Sequence, residues 1–275
     1  MVFLGFSAGL PYLLVFSTLT AWLTEAGVSR TTTGFFAWVG ITYSVKVFWA
    51  PVVDRLRIPW LTRRLGKRRS WILAGQLGIA FGLLGIALVG PEGGLTTVAL
   101  LALLVAFSSA TQDIAIDAYR IEAVQIDYQG AMSAAYIFGY RVALLAAGAG
   151  ALYVAEYYSW PVSYMTMFAL MAIGVLTVLL IQEPDLIESA TVASQEGRVI
   201  EFLARSQHLP EWLRQLQAWM IGAVICPFTD FFKRNGRFAL VILLFIALFR
   251  LSDITMGIMA NPFYLDLGFS KADIA

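Results

Sequence analysis

The 275 residues are 59% hydrophobic and only 13% charged, with a formal net charge of +1 and a mean hydropathy of +0.75. Soluble domains carry about 25% charged residues, and half that amount cannot solvate a globule of this size. The solvent is therefore a lipid bilayer, which excludes soluble enzymes and nucleic-acid binders. One cysteine, Cys226, and one histidine, His208, leave neither a disulfide framework nor a Cys- or His-rich metal site, and no cofactor is expected.

Crossing a hydrocarbon core takes about 20 mainly apolar residues. That ruler gives seven candidate spans, near 1–23, 34–53, 71–90, 96–117, 131–155, 161–182 and 238–262. Their runs are continuously apolar rather than alternating, which predicts helices and not barrel strands. The first run lacks a basic residue ahead of its apolar stretch and is long enough to span, so it reads as an uncleaved helix, kinked at Gly9 and Pro11. Basic residues set the orientation. Arg55, Arg57, Arg63, Arg64, Lys67, Arg68, Arg69, Arg120, Arg198, Arg205, Arg214, Lys233, Arg234 and Arg237 fall on one side, against Arg30 and Lys271 on the other. Because cytoplasmic loops collect Lys and Arg, the N-terminus is expected in the cytoplasm. The long polar insertion 183–237, with Trp212, Trp219 and a break at Pro210, reads as amphipathic helices on the cytoplasmic membrane surface.

An internal echo divides the chain. The segment W-L-T-E-A-G-V-S-R at 22–30 matches F-Y-L-D-L-G-F-S-K at 263–271, placing Glu25, Gly27, Ser29 and Arg30 opposite Asp266, Gly268, Ser270 and Lys271. Repeats in register, with one topology, mark two halves related about the membrane normal. The expected organisation is a six-helix bundle over 1–182, a linker over 183–237, and a seventh helix with the start of an eighth over 238–275.

Charges at bilayer depth cost about 2.5–3.5 kcal/mol each at a helix centre. They are Lys46, Asp113, Asp117, Arg141, Arg250 and Asp253. In A-T-Q-D-I-A-I-D-A-Y-R, spacings of four and three put Asp113, Asp117 and Arg120 on one helical face, with Gln112 beside it. At 1.5 Å per residue, Lys46 lies about 12 Å from the inner end of its helix, and Asp113 reaches a comparable depth. Arg141 and Arg250 fall about 15 Å and about 18 Å into theirs. Asp113 is too short to snorkel and Arg141 too deep, whereas Lys46 has the reach to lift its ammonium partway to the interface. Asp117 and Arg120 are also compatible with ordinary helix-end charges, and Arg250 with neutralisation by Asp253. The aromatics Trp38, Tyr43, Tyr136 and Tyr140 suit packing or interface anchoring.

Two acids stacked on one helix do not make an aspartyl protease, which needs carboxylates facing each other across a cleft. The sequence holds no G-x-G-D, H-E-x-x-H, G-x-S-x-G or P-loop, so no enzyme is expected. Proton-coupled transport asks for less: a titratable carboxylate in a cavity and a basic partner whose pairing changes between states.

The chain resembles the major facilitator superfamily through Asp54, Arg55 and the basic run that follows, although that loop is longer than usual and Ala50 replaces the leading glycine. More specifically it resembles the muropeptide permease (AmpG) family. The matching stretches are L-G-F-S-A-G-L-P at 4–11, A-W-L-T-E-A-G-V-S at 21–29, K-V-F-W-A-P-V-V-D-R at 46–55, G-K-R-R-S-W at 66–71, S-A-T-Q-D-I-A-I-D-A-Y-R at 109–120, F-R-L-S-D at 249–253 and A-N-P-F-Y-L-D-L-G-F-S-K at 260–271.

The resemblance implies an all-α polytopic bundle holding about seven of twelve or more helices, monomeric at full length and unable to transport without the rest. It implies a proton-driven importer in the bacterial inner membrane that carries anhydromuropeptides, with or without stem peptide, from periplasm to cytoplasm. Asp113 is the first candidate for the proton carrier and Asp117 the second. Lys46, Arg141 and Arg250 suit substrate carboxylates, with Asp253 in the same group, while Gln112, Tyr136 and Tyr140 suit the sugar rings. Asp54, Arg55 and Arg120 are the candidate gating residues. An acetyl-coenzyme A transporter is the nearest alternative, and a non-transporting membrane sensor or assembly subunit is another.

Overall fold

The computed structural model describes residues 1–184, 210, 217, 221 and 226–274. Among these there is helix and no strand. Five helical segments are long and apolar enough to cross a membrane: Val2–Glu25, Lys67–Val89, Leu95–Ala123, Ile126–Tyr157 and Trp160–Leu180. The chain divides into two compact units, Met1–Asp185 with Ile254–Ala275, and Leu186–Asp253. In the second unit the described structure is the helix Cys226–Asn235 and the opening of Phe238–Asp266, a 29-residue helix. His208 lies outside the described residues, as does most of the linker expected to be amphipathic.

In the first unit, α1 (Val2–Val15) and α2 (Ser17–Glu25) make the first span. The second comprises α3 (Arg30–Phe36), α4 (Ile41–Val45) and α5 (Ala50–Arg55). After the short α6 (Leu61–Leu65) come α7 (Lys67–Val89) and α8 (Leu95–Ala123). Next are α9 (Gln129–Leu145), α10 (Ala151–Tyr157) and α11 (Trp160–Leu180). Lipid gives packed helices no hydrophobic advantage, so close approach depends on small residues at the contact. A Cβ on Gly5 would overlap the Tyr136 carbonyl, one on Gly139 the Val2 carbonyl, and one on Gly9 would lie 2.6 Å from Tyr140 O. These glycines bring α1 and α9 together. Gly75 does the same for α7 against α8, where a Cβ would stand 2.9 Å from the Gln112 Cβ.

Three spans depart from a continuous helix. The first breaks at Phe16 (φ −111°, ψ −104°), five residues beyond Pro11, and Pro11 itself is buried inside α1. The kink expected at Gly9 and Pro11 is therefore displaced, and Gly9 serves packing instead. Neighbours take up the backbone groups around the break, as hydrocarbon requires. The Tyr164 hydroxyl donates to Leu14 O at 2.7 Å and Asn261 Nδ2 to Ser17 O at 3.2 Å. The second span, expected over 34–53, is not one helix. Its three short helices are joined by 3-10 turns at Ala37–Gly40 and Lys46–Phe48, and Pro51 follows in the first turn of α5. The fifth contains a π-helical turn, Ala146–Gly150, whose Ala147 carbonyl accepts from Thr18 Oγ1 at 2.8 Å.

Candidate substrate and proton site

The 3-10 turn Lys46–Phe48 is held against α8, where Trp49 Nε1 donates to Thr111 Oγ1 at 3.2 Å and its ring packs on Phe107. That docking brings Lys46 Nζ to 3.8 Å from Asp113 Oδ2. The Asp113 side chain is 18% exposed, and its other oxygen, Oδ1, is buried without a hydrogen-bond partner among the described residues. One turn on, Asp117 meets Arg120 at 3.5 Å. Arg120 donates to Ser133 Oγ at 3.1 Å and lies 5.7 Å from the Tyr136 ring centroid. Tyr136 and Tyr140 sit with ring centroids 6.1 Å apart on α9. Lys46, Asp113, Asp117, Arg120, Tyr136 and Tyr140 thus come from three spans, and contacts link them into two groups, Lys46 with Asp113, and Asp117 with Arg120, Tyr136 and Tyr140.

Gln112 points elsewhere. It is fully buried, and its Nε2 donates to Ser7 Oγ at 3.3 Å, where Gln76 Nε2 also donates at 3.2 Å. This polar knot joins α1, α7 and α8 and turns Gln112 away from the Asp113 face. Adjacent positions on a helix are about 100° apart, so Gln112 and Asp113 cannot share a direction. Arg141 is exposed on α9, with no ion pair among the described residues. The side chains of Arg55, Arg250 and Asp253 lie outside the described part of the structure.

A second charge cluster caps the start of α7. Arg68, 7% exposed, clasps Glu122 with Nε–Oε2 2.9 Å and Nη2–Oε1 2.6 Å. Its Nη1 reaches Asp54 Oδ1 at 2.7 Å, and Lys67 Nζ donates to the Asp54 carbonyl at 2.7 Å. The carboxylate of Glu183 accepts from the backbone N–H groups of Arg68 and Arg69 at 2.6 and 3.0 Å. A carboxylate there satisfies orphan donors and the positive end of the helix dipole. Gly66, at φ +89°, makes the turn into α7 that a side chain would strain. The sequence points to Asp54 and to Arg68 in the basic run that follows, but not to Glu122 and Glu183 as their partners. An acid closing one helix opposite a basic run opening another was the available signal.

Apolar spans closed by small-residue contacts around a Lys–Asp pair mark a multi-pass membrane protein. The family model described as Major Facilitator Superfamily matches residues 1–275, and the chain belongs to this superfamily. Its relatives include the AmpG 4 protein of Rickettsia conorii, 36% identical over 275 residues, covering 99% of this chain and 60% of the relative. The anhydromuropeptide permease of Escherichia coli is 32% identical over 276 residues, covering all of this chain and 50% of the relative. An uncharacterized protein of Haemophilus influenzae is 34% identical, with 58% of its length covered. The expected likeness to AmpG-type permeases is borne out, and the chain spans half to three-fifths of these relatives.

Proposed function

We propose that the protein imports anhydromuropeptides from periplasm to cytoplasm across the bacterial inner membrane, driven by protons. The Lys46–Asp113 pair carries this reading. A carboxylate held in the bilayer with one oxygen paired at 3.8 Å and the other without a partner is positioned to exchange a proton for a salt bridge. Protonated, Asp113 releases Lys46, which then offers its ammonium to a substrate carboxylate. Deprotonated, Asp113 takes Lys46 back. Asp117, paired with Arg120, is the second proton candidate, and Tyr136 and Tyr140 offer ring faces and hydroxyls to sugars.

Arg141, Arg250 and Asp253 complete the proposed substrate group. The burial of Gln112 speaks for a packing role there. Asp54, Arg55 and Arg120 form the proposed inner gate, in an organisation of bundle 1–182, linker 183–237 and second-half opening 238–275, with a cytoplasmic N-terminus and a monomeric full-length protein. The likeness to the anhydromuropeptide permease of Escherichia coli favours this substrate over acetyl-coenzyme A. The test is uptake of labelled anhydromuropeptide into proteoliposomes of the full-length protein. Accumulation under an inward proton gradient, abolished by a protonophore, is the expected result, and uptake indifferent to the gradient would overturn the coupling.

A further inference from the structure

The nine-residue echo is repeated in backbone geometry as well as in letters. Gly27 (φ +75°) and Gly268 (φ +87°) each end a helix in the left-handed region. In the first copy Gly27 N donates to Thr24 O and Val28 N to Leu23 O. In the second, Gly268 N donates to Leu265 O and Phe269 N to Tyr264 O, so the two helix stops are built alike. The serine that follows caps the next helix in both: Ser29 Oγ accepts from Thr32 N at 3.2 Å, and Ser270 Oγ from Asp273 N at 3.1 Å.

The charges within the copies do not pair internally. The acid of each copy takes the base of the other. Lys271 Nζ lies 3.0 and 3.1 Å from the two Glu25 oxygens, and Arg30 Nη2 lies 2.6 Å from Asp266 Oδ2. Residue i meeting j while j's counterpart meets i's is the mark of a two-fold, self-complementary contact. The Lys271 side is also a built socket. Trp160 Nε1 donates to Glu25 Oε2 at 2.6 Å, the Trp160 ring stacks on Trp22, and Lys271 sits 5.4 Å from the Trp160 centroid and 3.8 Å from Glu156 Oε2. With its side chain 12% exposed, Lys271 is the held key, whereas Arg30 at 80% is the exposed partner.

We propose that these two exchanged ion pairs are a latch closing the end of the bundle opposite the Asp54–Arg68–Glu122 cluster. Pairs formed within one copy would survive separation of the two copies. Exchanged pairs must both break, so the latch ties any opening between the first and seventh spans at this end to the loss of two charge contacts. Substrate coming from this side reaches the Lys46–Asp113 site only when the latch is open. That last step rests on the transport reading above, but the latch itself does not.

The test uses the full-length protein with Cys226→Ser and spin labels at Ala26→Cys and Leu267→Cys, equivalent exposed positions of the two turns. Distances are measured in lipid by pulsed electron paramagnetic resonance, alongside uptake. Lys271→Gln and Asp266→Arg should each raise the long-distance population several-fold. Adding Arg30→Asp to Asp266→Arg should restore the short distance, while Lys271→Gln, being neutral, guards against misfolding caused by reversed charge. Unchanged distances in both single variants, or a double variant that stays open, would overturn the latch. Distances that respond in a protein showing no uptake would sink the transport reading and leave the latch standing. Intact uptake with unresponsive distances would do the reverse.

Discussion

Removing Glu122 tests whether the buried Arg68 holds this end of the bundle together. Arg68 is 7% exposed and has three charge-assisted contacts to side chains, two on Glu122 and one on Asp54. Stripping one partner from a buried ion pair costs about 3–5 kcal/mol, because the remaining charge stays desolvated. Asp54 still neutralises part of that charge in Glu122→Ala, so the lower end, about 3 kcal/mol, is expected. Asp54 is itself 46% exposed, and Asp54→Asn keeps an acceptor, so its loss should cost about 1 kcal/mol. At about 2–4 °C per kcal/mol for a chain of this size, the two variants separate as falls of about 6–12 °C and about 2–4 °C. Thermal unfolding of the detergent-purified protein, followed by tryptophan fluorescence, reads the difference. Replacing the pair with apolar residues, Arg68→Met with Glu122→Leu, should lose less than Glu122→Ala alone. Equal falls for Glu122→Ala and Asp54→Asn would refute the reasoning.

Other consequences are as direct. Gly139→Val drives a side chain into the Val2 carbonyl and should cost about 1–3 kcal/mol in the same unfolding assay, whereas Gly130→Ala, with nothing within 4 Å, should be close to neutral. Cysteine at Glu92 should react with a membrane-impermeant thiol reagent in intact cells and cysteine at Lys67 should not; the opposite pattern would invert the proposed orientation. Lys46→Gln should lower uptake at least about tenfold, equivalent to about 1.4 kcal/mol, while Lys46→Arg retains more, and equal uptake in the two would remove the ammonium from the mechanism.

Long apolar runs made the spans legible, since length and hydropathy are local properties. Counting helical rise sets Lys46 level with Asp113, and the two side chains do meet, although Lys46 opens a 3-10 turn rather than lying within a continuous helix. What the sequence hid depended on neighbours. The break at Phe16 rather than Pro11 is met by Tyr164 and Asn261, residues far along the chain. The fragmentation of the second span follows two 3-10 turns that its apolar pattern does not encode. Gln112 sits next to Asp113 in sequence, yet a step of about 100° sends it into the Ser7–Gln76 knot. The echo was visible as letters, but the exchange of partners between its copies required the fold.

In the proposed mechanism Asp113 couples proton movement to import. Asp113→Asn keeps the shape and hydrogen-bonding capacity but cannot titrate. In proteoliposomes of the full-length protein, accumulation of anhydromuropeptide under an imposed proton gradient should vanish in this variant, while counterflow exchange, which moves no net proton, should survive at least in part. Accumulation persisting in Asp113→Asn would contradict the claim and reduce the Lys46–Asp113 pair to a structural contact.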